Sequence, residues 1–125
     1  MYDFAMKHIR DNRPKWCKIC TYGIYINYKS SEFINTLRMY NVDTTIVVGD
    51  TGLMEERVEE LQDKYPNIKF RLVDEMHAKC ILFSDRLLIA GSMNLSNSGY
   101  EEIEVVVKLR KEEFVLLALH IDEIS

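Results

Sequence analysis

The stretch TTIVVGDTGLMEERVEELQDKYPNIKFRLV, residues 44–73, decides the fold class of this chain. It opens with a β-branched run closed by Gly49, which is typical of a buried strand in a parallel sheet. Apolar residues then recur at helical spacing until Pro66 ends the pattern, and residues 68–73 are typical of a second strand. A strand, a helix and a strand in this order predict two parallel strands with the helix packed against their sheet.

The residues before this stretch continue the same alternation. Residues 2–10 indicate a short amphipathic helix, and the aromatic and β-branched run 16–26 indicates a strand. A core-facing helix should follow, capped by Ser30 or Ser31 and ended by Asn41. The first half of the chain therefore predicts strand, helix, strand, helix, strand.

The residues after it add strands without intervening helices. Residues 79–83, 87–90 and 103–109 each favour a strand, and apolar residues at helical spacing over 112–121 predict a closing helix. We therefore expect an α/β fold with a mixed, mainly parallel β-sheet sandwiched between α-helices. At 125 residues the chain fits a single domain, residues 1–125.

Composition narrows the class of function. Hydrophobic residues make up 47% of the chain, yet no apolar run approaches the length needed to cross a bilayer, and the N-terminus does not resemble a signal peptide. We expect a cytoplasmic protein without integral membrane association. The formal net charge of −4 argues against a broad basic surface, so any nucleic acid must be bound locally. The candidate cations for such a cleft are Lys15, Lys18, Lys29, Lys69, Lys79 and Lys108.

The three cysteines predict reduced thiols and no disulfide. Cys17 and Cys20 form a Cys-x-x-Cys pair, which elsewhere signals zinc or redox chemistry. On a strand, residues three apart face opposite sides of the sheet, so we expect buried cysteines instead. Cys80 is also expected in the core.

The candidate catalytic residues lie between Met76 and Val106. On an extended strand alternate residues share a face, so His77 and Lys79 should point the same way, and Ser92 and Asn94 should form a second polar pair. Burying such groups without partners costs roughly 1–3 kcal/mol each, and a bound phosphate would explain all four together. Lys79 supplies positive charge, Ser92 and Asn94 bind nonbridging oxygens, and His77 attacks phosphorus or transfers a proton.

Glu104 completes this set of candidate catalytic residues. Its carboxylate could accept a hydrogen bond from the second nitrogen of the His77 imidazole, which would set the tautomer and stabilise developing positive charge. The spacing His77-x-Lys79, then Gly91-Ser92-x-Asn94, with Glu104 downstream, resembles the HKD motif of the phospholipase D superfamily. The resemblance covers about thirty residues, and the order of strands and helices is compatible with the superfamily's fold.

The resemblance implies a mechanism and an assembly. One histidine attacks the phosphodiester to give a phosphohistidine, a second histidine protonates the leaving oxygen, and neither a metal nor another cofactor is required. This chain has one such motif, and it resembles the small members that pair as homodimers to bring two copies of His77 together. Two coupled imidazoles predict a bell-shaped dependence of rate on pH.

One position departs from the motif. The superfamily usually has Asp where this chain has Ser84, and Asp85 follows directly. That carboxylate is expected to be structural and outside the phosphate site, so the change bears on local stability more than on chemistry.

The preferred function is a metal-independent phosphodiesterase, namely an endonuclease acting on DNA more readily than on RNA, alone or in a larger assembly. Small size and the resemblance to single-motif nucleases, including the catalytic domains of some restriction enzymes, favour nucleic acid. The alternatives are a lipid phosphodiesterase of the phospholipase D type and a non-catalytic nucleic-acid or protein binding module. Tyr22, Tyr25 and Tyr28 could stack nucleic-acid bases, although packing is the commoner role of strand tyrosines.

Overall fold

The computed structural model describes residues 2–50, 52–91 and 105–125, and within these ranges the chain forms six strands and four helices. In chain order they are α1 (Tyr2–Asn12), β1 (Trp16–Thr21), α2 (Tyr28–Met39), β2 (Asp43–Asp50), α3 (Glu55–Lys64), β3 (Lys69–Asp74), β4 (Cys80–Phe83), β5 (Leu87–Ala90), β6 (Val105–Lys108) and α4 (Lys111–Ile124). Every element predicted from periodicity is present. Within the same ranges, no helix is long and apolar enough to cross a membrane.

The strands form one sheet in the order β3-β2-β1-β4-β5-β6. β1, β2 and β3 are parallel neighbours, whereas β4, β5 and β6 join by antiparallel pairing. The parallel part comes from the strand-helix-strand units of the first half. The antiparallel part comes from the β4–β5 hairpin, from the pairing of β4 with β1 and from the pairing of β6 with β5. The predicted α/β class, with a mixed sheet between helices, is confirmed. The sheet is not mainly parallel as predicted, because two of its five strand pairings are parallel and three are antiparallel.

Two apolar clusters cover the two faces of the sheet. α1, α2 and α3 pack on one face, where their buried residues meet β-strand residues such as Ile19, Ile46 and Phe83, all at most 2% exposed. α4 packs on the other face, where Ile121 joins Val47 and the other residues of a smaller cluster. Burial of each large apolar side chain contributes about 1.5–3 kcal/mol, so the larger cluster supplies most of the stabilisation.

The end of β1 and the N-cap of α2 differ from those predicted. β1 ends at Thr21, not at residue 26, and the buried hydroxyl of Thr21 donates a hydrogen bond to the Gly23 carbonyl, 2.7 Å away, as the chain leaves the sheet. α2 is capped by Asn27, whose side chain accepts from the Ser30 backbone N–H while the Ser30 hydroxyl accepts from the Asn27 N–H. The predicted caps Ser30 and Ser31 were therefore wrong, because asparagine earlier in the segment forms a complete capping box.

The connection from β3 to β4 reverses the direction in which strands are added. β3 lies at one edge of the sheet, and β4 pairs with the far side of β1, so residues 75–79 cross the carboxyl ends of β2 and β1. Glu75 begins this crossing segment in the left-handed region, with φ of 59°, which turns the chain sharply after β3. Ligands commonly bind at the carboxyl ends of strands where the strand order reverses in this way.

Candidate active site

His77 lies on the crossing segment, residues 75–79, with an exposed side chain. Its imidazole stacks on the ring of Tyr22, with 4.6 Å between the ring centroids and 21° between the ring planes. Tyr22 directly follows the carboxyl end of β1, so the contact joins the crossing segment to the strand beneath it. The imidazole is thus presented to solvent at the switch point of the sheet, against a fixed aromatic ring.

Gly49 allows the crossing segment to pass this close to the sheet. A Cβ atom at Gly49 would overlap the carbonyl oxygen of Met76 and would lie 3.1 Å from the carbonyl oxygen of Tyr22. Met76 immediately precedes His77, and its side chain is buried in the cluster beneath α4. The absence of a side chain at residue 49 therefore sets the position of the His77 backbone.

Lys79 is half-buried two residues further along the segment. Met76 and Cys80 both belong to the cluster beneath α4, and alternation along an extended chain directs Lys79 away from that cluster. The Lys79 carbonyl accepts a hydrogen bond from the Gly91 N–H at 3.1 Å, which extends the pairing of β4 with β5 by one step. Gly91, the first residue of the motif's second part, therefore lies beside Lys79.

The remaining predicted site residues, Ser92, Asn94 and Glu104, lie outside the described residues, so their roles stay predictions. The structure does describe the residues on either side of 92–104. Ala90 pairs with Val105 and also with Cys80, so the chain positions before and after residues 92–104 both lie at the sheet edge that carries His77.

Ser84 lies in the turn after β4, at the end of this strand opposite to His77. Its Oγ accepts hydrogen bonds from the backbone N–H groups of Lys15 at 2.8 Å and Trp16 at 3.2 Å, where β1 begins. The Ser84 hydroxyl oxygen thus accepts from two backbone donors at the start of β1, at the position where the motif usually has an aspartate carboxylate. The departure from the motif leaves these donors paired, far from His77 along β4.

Asp85 binds His8, a contact that sequence patterns did not reveal. The Nε2 of His8 lies 2.8 Å from Asp85 Oδ2, and the His8 ring packs against Phe83 with 4.9 Å between centroids. The Asn12 side-chain amide nitrogen lies 3.1 Å from His8 Nδ1. His8 is separated from Asp85 by more than half of the chain's length, and no local pattern signals a contact over that distance.

Cys17 and Cys20 are buried in the core as predicted, whereas Cys80 is partly buried against the smaller apolar cluster. Cys17 and Cys20 face opposite sides of β1, one in each apolar cluster, so they do not form a common metal site. Cys80 lies directly across from Cys20 in the β1–β4 pairing. Burial raises the pKa of the Cys17 thiol, whereas a hydrogen bond from the Cys20 thiol lowers the pKa of Cys80.

Several candidate lysines are bound away from the crossing segment. Lys18 pairs with Asp122 on α4 at 2.6 Å, and Lys29 pairs with Asp3 on α1 at 3.0 Å. Lys108 donates to the backbone carbonyl of Asp85, in the turn opposite the site. Of the six candidate lysines, Lys79 is the one that lies on the crossing segment with His77.

Comparison with known proteins gives the same fold. Nuc from Salmonella typhimurium, a phospholipase D family member, superposes with a TM-score of 0.72 at 15% identity, covering 98% of this chain and 84% of that one. NucT from Helicobacter pylori superposes with a TM-score of 0.68 at 17% identity, over 98% and 85% of the two chains. TrmBL2, an archaeal chromatin protein with a novel mode of DNA binding, gives 0.65 at 12% identity, over 98% and 44%.

Sequence comparison assigns the family. No curated protein sequence matches the chain. Residues 8–120, however, match the family described as cardiolipin synthase, PLD-like domain, which spans the sheet, the crossing segment and most of α4. This chain belongs to that family and is a member of the phospholipase D superfamily.

Proposed function

We propose that this protein is a metal-independent phosphodiesterase that cleaves nucleic acid through a phosphohistidine on His77, at a site shared by two copies of the chain. Membership of the superfamily supports phosphodiesterase-type chemistry. The observation that carries the proposal is the position of His77, exposed on the crossing segment with Lys79 and Gly91 beside it. An exposed imidazole two residues before a lysine, at the carboxyl ends of the strands, suits attack on a bound phosphodiester.

The reaction proceeds in two displacements. A nitrogen of His77 attacks phosphorus, the P–N bond forms as the P–O bond to the leaving group breaks, and His77 of the second copy gives its proton to the leaving oxygen. That same imidazole then removes a proton from water, which attacks phosphorus and releases His77. Lys79 neutralises charge on the nonbridging oxygens, assisted by Ser92 and Asn94, while Glu104 orients the imidazole.

The count of histidines supports a shared site. The chain contains three, His8, His77 and His120. His8 is bound to Asp85 in the turn that follows β4, and His120 lies on α4, which packs against a face of the sheet. A second imidazole opposite His77 must therefore come from another copy, as a two-fold dimer would supply it.

Exposed apolar residues also favour a partner subunit. Val105 at the start of β6 is 56% exposed, and Leu116 on α4 is 69% exposed. Surface of this kind is commonly covered in an assembly. Light scattering should therefore report a dimer at the concentration used for activity measurements.

Nucleic acid is the preferred substrate class. The TrmBL2 structure shows that a chain of this fold occurs in a protein described as binding DNA. A lipid substrate and binding without cleavage are the alternatives, and each predicts a different product. An assay with three substrates separates them.

The experiment measures cleavage of a DNA oligonucleotide, cleavage of an RNA oligonucleotide and headgroup release from phospholipid vesicles, all in excess chelator. Wild type should cleave DNA, His77→Ala should lose at least about 10³-fold in rate, and the matched control His120→Ala should retain activity. When the reaction is stopped in alkali, the covalent phosphohistidine intermediate should be recovered on wild type and not on His77→Ala. Equal cleavage by wild type and His77→Ala would contradict the proposal, as would headgroup release alone or binding without turnover.

A further inference from the structure

We infer that Tyr22 is a positioning residue that holds the His77 imidazole in its reactive orientation by stacking against it, an inference that rests on the proposed function. The two rings are 4.6 Å apart and nearly parallel, within the range of favourable aromatic stacking. His77 is exposed and lies outside any strand, so its side chain has few constraints from regular structure. Stacking of the Tyr22 ring on one face of the imidazole restricts the orientation of the His77 side chain.

The Tyr22 ring is itself attached to a rigid part of the fold. Thr21 ends β1 opposite Val48, and Tyr22 is the next residue. The Tyr22 backbone packs against Gly49, with its carbonyl oxygen 3.1 Å and its Cα 3.3 Å from the place where a Cβ would lie. The Met76 carbonyl oxygen also lies against Gly49. This one glycine therefore contacts both the segment that carries Tyr22 and the segment that carries His77.

Stacking positions the imidazole without occupying its nitrogens. The lone pair and the N–H bond of an imidazole lie in the plane of the ring, while Tyr22 covers a face. One nitrogen therefore stays open to phosphorus, and the other stays open to a hydrogen-bond acceptor. Positive charge that develops on the ring as the P–N bond forms also lies against the electron-rich face of the tyrosine.

This role depends on the aromatic ring and not on the phenol hydroxyl. Phenylalanine at residue 22 should preserve the stack, whereas leucine should remove it while retaining apolar bulk. The neighbouring tyrosines differ: Tyr25 carries the Arg57 guanidinium over its ring at 5.0 Å, and Tyr28 is 81% exposed. Tyr22 is thus the aromatic residue whose described contact is with His77 itself.

The test compares Tyr22→Phe and Tyr22→Leu with wild type, using DNA cleavage in chelator and NMR signals of the His77 ring. Tyr22→Leu should lower kcat by about 10- to 100-fold with KM little changed, because the imidazole is misplaced while the substrate still binds. Tyr22→Phe should stay within about twofold of wild type. The upfield ring-current shift of the His77 ring protons should persist in Tyr22→Phe and vanish in Tyr22→Leu.

Phe4→Leu is the matched control, because Phe4 is an exposed aromatic residue on α1, outside the site. It should leave kcat unchanged. Wild-type kcat in Tyr22→Leu would overturn the inference, and so would a loss in Tyr22→Phe as large as that in Tyr22→Leu, or a change confined to KM. Cleavage that survives His77→Ala would instead defeat the proposed function, while the ring-current shift would still report on the stack.

Discussion

Two side chains in the motif region make structural contacts that the motif alone did not predict. Ser84 accepts two backbone hydrogen bonds where β1 begins, and Asp85 beside it binds His8 of α1. Both residues lie in the β4–β5 turn, whereas His77 precedes β4 at the opposite edge. The residues of the motif are thus divided between two ends of one strand, with chemistry proposed at one end and structural contacts at the other.

Replacing Ser84 tests this division. Ser84→Ala should lower the free energy of unfolding by about 1 kcal/mol, since two backbone donors at the start of β1 lose their acceptor and only partly regain water. Ser84→Asp should retain most of the stability, because a carboxylate can accept both hydrogen bonds. Urea unfolding measures the first effect. Cleavage by the folded variants should match wild type, and a loss of activity without a loss of stability would place Ser84 in the site.

At the scale of elements, sequence patterns predicted every strand and helix, because most of them contribute regularly spaced residues to an apolar cluster. The four residues of β6 are all exposed, and its β-branched composition predicted it instead. Boundaries were harder: the run 16–26 keeps its β-type composition beyond Thr21, although β1 ends there and Ile24 makes only an isolated β-bridge. The crossing segment was not predicted either. Its course depends on the reversal of strand order, and the contact of Gly49 with Met76 joins residues from different elements.

Gly49 and Gly23 form a matched pair for testing the crossing segment. Gly49→Ala should cost about 1–3 kcal/mol and lower the cleavage rate, because the new methyl group overlaps the backbone oxygen of Met76 and displaces His77. Gly23→Ala should be nearly neutral, since the nearest atom to its added methyl is 3.9 Å away, on the Tyr25 ring. Thermal unfolding and cleavage of both variants give the comparison. Equal stability of the two variants would show that the backbone at Gly49 is not tightly packed.

At the scale of the whole molecule, a single chain supplies one imidazole to the sheet edge. The proposed pairing of chains rests on the resemblance to single-motif members, because an interface between subunits has no local sequence pattern. The alternation of His77 and Lys79 was predicted on a strand, whereas both residues lie on the crossing segment before β4, where Gly91 lies beside Lys79. Their roles in the site stay predictions. Ser92, Asn94 and Glu104 remain predictions that follow from the motif.

Subunit mixing tests the shared site most directly. Wild type and His77→Ala are unfolded together, refolded as a mixture, and assayed in excess chelator, with His120→Ala in place of His77→Ala as the control mixture. If each site needs His77 from both subunits, activity per wild-type chain should fall to about half at equal amounts and continue to fall as His77→Ala is increased. Activity per wild-type chain that stays constant across all ratios, while light scattering shows that the subunits have exchanged, would contradict a site built from two copies of His77.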